Sequence, residues 1–247
     1  MKRHLFLLCL FTFLFPVMVS AEKSIPMLIY HSIDQYSGHG MKELYVSPEQ
    51  FETQMLYLRE HGFTPLTFEN WEQQYTVNKP IFLTFDDGYK NNLNVYTIFK
   101  KIQTNKFKPS GTFFVISDFI DRPNRLSKAD LKKLADSGMI SIQSHTATHP
   151  DLTKITDFIH ELKDSKGNIE KITGKPVIAV SYPYGNFNDR TIKETKKYYL
   201  FGMTTTPGPY VKSGSSEEHY LLPRTYIKNS TRLEDFIKIV EGPNGYH

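Results

Sequence analysis

Between residues 26 and 240, short apolar runs alternate with segments of helical periodicity, and this alternation limits the fold more than any single motif. Residues 26–30 (PMLIY), 81–85, 111–116 (GTFFVI), 140–143 and 177–180 read as strands. Between them, Ser47 with Pro48 and Gln50 forms a helix start; Phe51, Met55 and Leu58 follow at helical spacing, and Gly62 ends the element. Residues 91–103 place Val95, Ile98, Phe99 and Ile102 on one face. Ser127 caps a helix running to Gly138, a longer one over 157–172 closes on Gly174, and 190–197 is helical. Segments 202–206, 221–227 and 233–240 complete the pattern. Repeated strand-helix units imply an α/β protein with a mostly parallel sheet covered by helices, open or closed into a barrel. A barrel is expected, because its reactive side chains gather at the C-terminal ends of strands. The candidates fall there.

The start of the chain is different. Lys2 and Arg3 precede an uncharged apolar run over 5–19, interrupted by Thr12 and Pro16, and Val19-Ser20-Ala21 suits a small-residue cleavage site. Residues 1–21 therefore read as a secretory signal and 22–247 as one domain; a retained membrane anchor is the alternative, although the run is short for a span. Loss of Lys2 and Arg3 lowers the formal net charge from +4 to +2, and the one cysteine, Cys9, leaves with them. Stability outside the cell must then come from the core or a metal rather than from disulfides. With no polybasic run and no zinc-finger spacing, nucleic-acid binding is not expected.

The stretch LTFDDGY ends an apolar run on two adjacent carboxylates, Asp86 and Asp87, followed by Gly88. Two like charges at the end of a buried strand repel unless a cation lies between them or one serves as a helix cap. In QSHTATHPDL, His145 and His149 stand four apart after another strand, so their rings converge if the segment turns helically. Strand ends of one polarity share an edge in a parallel sheet, which brings both pairs together. Two neutral imidazoles and one carboxylate suit zinc or a similar divalent ion. Successive residues of an extended chain point different ways, so one aspartate can ligate while its twin stays free as a base.

TFDDGY and HTATH, followed by SYPYGNF, resemble the polysaccharide deacetylase family of NodB-homology carbohydrate esterases over most of 22–247. The resemblance implies a distorted TIM-like barrel of seven or eight strand-helix units. It also implies Asp86 as general base, Asp87, His145 and His149 as ligands of Zn2+ (or Co2+, Ni2+ or Fe2+), and Pro183-Tyr184-Gly185 as a groove wall whose Tyr184 N–H faces the oxyanion. Tyr182 is placed with that wall. Two departures bear on the chemistry. The family's arginine two residues before the proline is Ser181 here, and Arg224 in LLPRTYI is the candidate replacement. The late leucine-rich motif with a catalytic histidine is absent, since IKIVEGPNGYH offers only His247; His31, in MLIYHSID, resembles the early acid histidine of the poly-N-acetylglucosamine deacetylase branch.

The expected activity is that of a secreted, metal-dependent N-deacetylase acting on N-acetylglucosamine-containing polysaccharide as a monomer, associated with the cell wall or cell surface. A carbohydrate-binding pseudo-enzyme and an O-acetyl esterase on xylan-type glycans are the alternatives. Tyr30, Tyr89, Tyr182, Tyr184, Phe187 and Tyr210 are candidate sugar-stacking rings. Residues 204–206 occupy the place where relatives carry an acetyl-pocket motif, and the one tryptophan, Trp71, lies far upstream. His39, His61, His160 and His219 read as surface residues.

Overall fold

The computed structural model describes residues 23–242; the leader assigned to 1–21 and His247 lie outside them. Eight strands form the main sheet: β1 (Met27–Tyr30), β2 (Thr64–Leu66), β3 (Pro80–Phe85), β4 (Gly111–Val115), β5 (Ile140–Ser144), β6 (Ala179–Ser181), β7 (Phe201–Met203) and β8 (Thr225–Tyr226). Their order is β7-β6-β5-β4-β3-β1-β8, with β2 also paired to β3, and every pairing is parallel. A bridge from Met203 to Leu222, just ahead of β8, brings the two edges together. The result is a curled parallel sheet of the distorted TIM-like type, seven strands in a row with β2 beside β3, so the expected barrel is correct.

Six helices cover it: α1 (Pro48–Glu60), α2 (Leu93–Ile102), α3 (Lys128–Asp136), α4 (Ser165–Thr173), α5 (Asp189–Thr195) and α6 (Leu233–Glu241). Their starts follow the sequence. Ser47 Oγ accepts from Gln50 N at 3.2 Å, and Ser127 with Asp130 forms a reciprocal capping box. One segment departs: 157–172 is not a single α-helix, because a π-turn spans Ile159–Asp164 before α4.

The strand period divides the core in two. Leu28, Tyr30, Leu83, Phe85, Phe113 and Val115 face outward beneath the helices, while Met27, Phe82, Phe114, Phe201 and Met203 face inward. Trp71 closes the interior against Phe82, Phe201 and Tyr210, at ring distances of 5.5, 4.9 and 5.1 Å. Tyr30 and Tyr210 are thus core residues rather than sugar platforms, buried at 0% and 3% exposure. Burial of a ring of this size contributes about 2–3 kcal/mol, which fixes each strand's face.

Candidate active site

On β3 the inward positions are 82 and 84, and the same period carries Asp86 inward past the strand end. There it is 2% exposed. A carboxylate in that position needs partners. Arg224 supplies them from the segment between the Leu222 bridge and β8: Nη1 donates to Asp86 Oδ1 at 2.8 Å and Nη2 to Oδ2 at 2.9 Å. Its remaining donors reach Thr84 Oγ1, Ser181 Oγ and the Thr204 carbonyl at 3.0, 2.7 and 3.0 Å. Ser181 Oγ itself donates to Asp86 Oδ2 at 2.9 Å. Arg224 is fully buried. Burial alone would raise the Asp86 pKa; the Arg224 guanidinium, with His145 and the hydrogen bonds, outweighs it and holds the carboxyl well below the usual range.

Asp87 does not diverge by extended-chain alternation, as expected from the sequence, but by entering the left-handed region at φ 72°. Gly88 follows at φ 63°, and a Cβ there would lie 3.0 Å from Val115 Cγ1, so glycine is required for both conformation and space. The double left-handed step turns the Asp87 carboxylate toward the end of β5. Opposite it, His145 Nδ1 lies 2.8 Å from the Ser181 carbonyl; a carbonyl only accepts, so Nδ1 carries the proton and Nε2 presents a lone pair. Asp87 Oδ1 is 3.5 Å from that Nε2 and 3.7 Å from His149 Nε2.

The histidines do not converge through a helical turn. Residues 145–150 lack helix, and Thr146 and His149 are left-handed at φ 67° and 64°. Thr146 Oγ1 accepts from His149 N at 3.0 Å. Glu161, brought under the loop by the π-turn, accepts from Ala147 N, Thr148 N and Thr148 Oγ1 at 2.9, 2.9 and 2.6 Å. Asp151 ties the far end, accepting from Thr153 N and from Asn186 Nδ2, both at 3.0 Å. Neither role is apparent in the sequence reading. Asp151 had a signal in the Asp-Leu-Thr turn; Glu161 had none.

Asp87, His145 and His149 place one ligand atom each within 4.8 Å of one another. Two neutral nitrogens and a carboxylate at that spacing fit a divalent ion. His31 sits beside the same rim, its ring stacked on Tyr226 at 5.5 Å and 6°. Burial lowers its pKa, against the opposing pull of Asp86 and Asp87.

The Pro183 loop closes the other side. Tyr184 is left-handed at φ 61° and 64% exposed, its ring 4.8 Å from that of His149. Gly185 N and Asn186 N bond to the Tyr182 and Pro183 carbonyls, whereas no acceptor for Tyr184 N is found among the described residues. Gly185 packs on Thr205 and Pro183 is buried, so both shape the loop. Tyr182 does not belong with this wall. Its ring is 0% exposed and its hydroxyl donates to the Tyr220 carbonyl at 3.1 Å, because the β6 period turns it outward under α5.

A parallel barrel whose strand ends gather a buried aspartate and a His-His-Asp cluster is the scaffold of a hydrolase. Residues 73–201 match the Polysaccharide deacetylase family model. The solved structure of a polysaccharide deacetylase from Bacillus cereus superimposes with a TM-score of 0.87 at 48% identity, covering 89% of this chain and 69% of that one. YxkH of Bacillus subtilis (strain 168), assigned by name to the polysaccharide deacetylases, is 33% identical over 201 residues, 77% of this chain and 68% of that one. A poly-β-1,6-N-acetyl-D-glucosamine N-deacetylase of Staphylococcus aureus (strain MRSA252) is 25% identical over 231 residues, 85% of this chain and 76% of that one. The chain belongs to the polysaccharide deacetylase family, hydrolases of carbon–nitrogen bonds other than peptide bonds.

Proposed function

We propose that this is an exported, metal-dependent N-deacetylase that removes acetyl groups from N-acetylglucosamine units of a polysaccharide. One observation carries the reading: a metal-fitting triad of Asp87, His145 and His149 stands beside a second carboxylate, Asp86, that is held out of the ligand set by Arg224. The name of the Staphylococcus relative supports the sugar, and the leader pattern supports export to the cell surface.

Asp87, His145 and His149 would hold the cation, with zinc favoured by the donor set. When bound, it would supply Lewis acidity toward water and the acetyl carbonyl oxygen. Asp86 accepts the proton of the attacking water. As a carboxylate with a depressed pKa it is a weak base, and it serves because it stays ionised and fixed in direction by Arg224 and Ser181. The Tyr184 N–H donates to the carbonyl oxygen as that atom gains charge, a contribution of about 3 kcal/mol for one well-placed donor. An amide nitrogen cannot leave as an anion, so His31 delivers a proton to it. Acetate and a free amine are the products.

Acetate release from N-acetylglucosamine oligomers, with and without chelator, tests this. Release that stops with chelator and returns with Zn2+ is expected. Metal binding without release would make the protein a carbohydrate-binding pseudo-enzyme, and release from acetylated xylan alone would make it an O-acetyl esterase.

A further inference from the structure

A second cleft of about 1090 Å3 opens beside the Asp87 rim, between the segment after β1 and the loop preceding α3; Asp34, Tyr89, Phe119, Arg122 and Arg125 are among its lining residues. Tyr89, on its wall, follows Asp87 by two residues. Arg125 also borders a small space lined by Asp87 and Gly88, and Leu126 N donates to the Gly88 carbonyl at 3.0 Å. Phe119 and Arg125 line both spaces.

The charges in this cleft are unbalanced. Lys90 is engaged by Asp130. Arg125 and Arg122 have no carboxylate within 4.0 Å among the described residues. Instead their guanidinium carbons lie 4.1 Å from the ring centres of Tyr89 and Phe119 respectively, and Arg125 is 5.6 Å from Phe119 as well. Stacking fixes a guanidinium while offering its N–H groups no lone pair in the guanidinium plane. Arg125 Nε is buried and has no hydrogen-bond partner among the described residues. The cleft's acid, Asp34, accepts from Gln35 N at 2.8 Å and is outnumbered by the two stacked arginines.

We infer that this cleft is a subsite for an anionic sugar of the glycan, with Arg125 and Arg122 binding an acidic substituent on a unit adjoining the one deacetylated. The inference rests on the proposed deacetylation and narrows its substrate class to acidic polysaccharides. Two planar, unpaired guanidinia suit either a carboxylate or a phosphate bidentately. Neutral chitin-like chains leave them unsatisfied.

The test compares three probes in one zinc-loaded protein: N-acetylglucosamine oligomers, oligomers alternating with N-acetylmuramic acid, which carry a carboxylate on a lactyl ether, and oligomers phosphorylated on alternate units. Each is followed by acetate release and, independently, by calorimetric binding. The expected kcat/KM ratio of acidic to neutral probe is about tenfold or more, the worth of one charge-assisted contact. The better acidic probe identifies the source of the anion. In Arg125→Gln and in Arg122→Gln, whose side chain is exposed and tolerant, the ratio should fall toward one through KM rather than kcat. A wild-type ratio near one in both assays overturns the anionic subsite while leaving deacetylation standing. A ratio retained by both variants overturns the assignment to these arginines. Acid-selective binding without acetate release from any probe supports the subsite and overturns the proposed reaction.

Discussion

Replacing Arg224 with methionine removes a fully buried guanidinium, strands Asp86 Oδ1 and the Thr204 carbonyl, and leaves Asp86 Oδ2 with Ser181 Oγ alone. Breaking a buried ion pair from one side costs about 3–5 kcal/mol, because the remaining charge is left buried without its counter-ion. For a chain of this length that is a fall in Tm of roughly 6–20 °C. The pH dependence identifies the cause. In the wild type the Asp86 pKa is depressed, so its contribution is present above the unfolded carboxyl value of about 4 and is lost only as pH falls through the folded value below it. In the variant, burial acts without Arg224 and raises the folded pKa above the unfolded one, so its penalty grows as pH rises from about 4. The stability gap between the proteins should therefore narrow between pH 7 and pH 4, as the variant's Asp86 takes up a proton. Thermal and urea unfolding by circular dichroism at both pH values measures it. A variant that melts with the wild type at pH 7, or a gap that does not change with pH, refutes the reasoning.

Asp86→Asn should keep its affinity for Zn2+ by calorimetry yet lose about 10²–10⁴ in acetate release, whereas His145→Ala should lose both. The reverse pattern would exchange the roles. Glu161→Ala should weaken Zn2+ binding by about tenfold or more although Glu161 is no ligand, since the loop between the histidines hangs on it; Glu161→Gln, which keeps an acceptor oxygen, should recover part of the loss. Gly88→Ala, at φ 63° and against Val115, should lower the urea midpoint by the equivalent of about 1–2 kcal/mol.

The strands were legible because a buried parallel strand is a short apolar run and little else resembles it at this spacing. Asp86 and Asp87 were legible as a pair, since two acids after such a run demand an explanation. Their divergence was not. Alternation of an extended chain and a left-handed step both separate neighbouring carboxylates, and only coordinates distinguish them. The same ambiguity affects the histidines, where four-residue spacing suggested a helical turn and the chain instead uses two left-handed residues. Tyr182 was misplaced for a different reason: β6 has three residues, too few for the period to say which face follows it. Glu161 escaped because a π-turn shifts the helical phase, and its sequence neighbours read like any exposed helix.

Four of the seven non-glycine residues with positive φ among the described residues lie where the chemistry is proposed; Lys79, Asp121 and Asn124 lie elsewhere. Asp87, Thr146, His149 and Tyr184 are non-glycine residues with positive φ, and each sits on a loop that follows the C-terminal end of β3, β5 or β6. Each costs of order 1 kcal/mol relative to a relaxed loop. Hydrogen bonds from outside the ligand set offset that cost: Thr146 Oγ1 to His149 N, Glu161 to the amides between them, Asp151 to Asn186 across to the Tyr184 loop. A ligand set built on relaxed loops would need only the ligands. This one needs the scaffold beneath it, so substitutions at Glu161 or Asp151 should loosen metal binding while leaving the barrel folded, and those at Phe82 or Trp71 should unfold the barrel and lose metal binding with it.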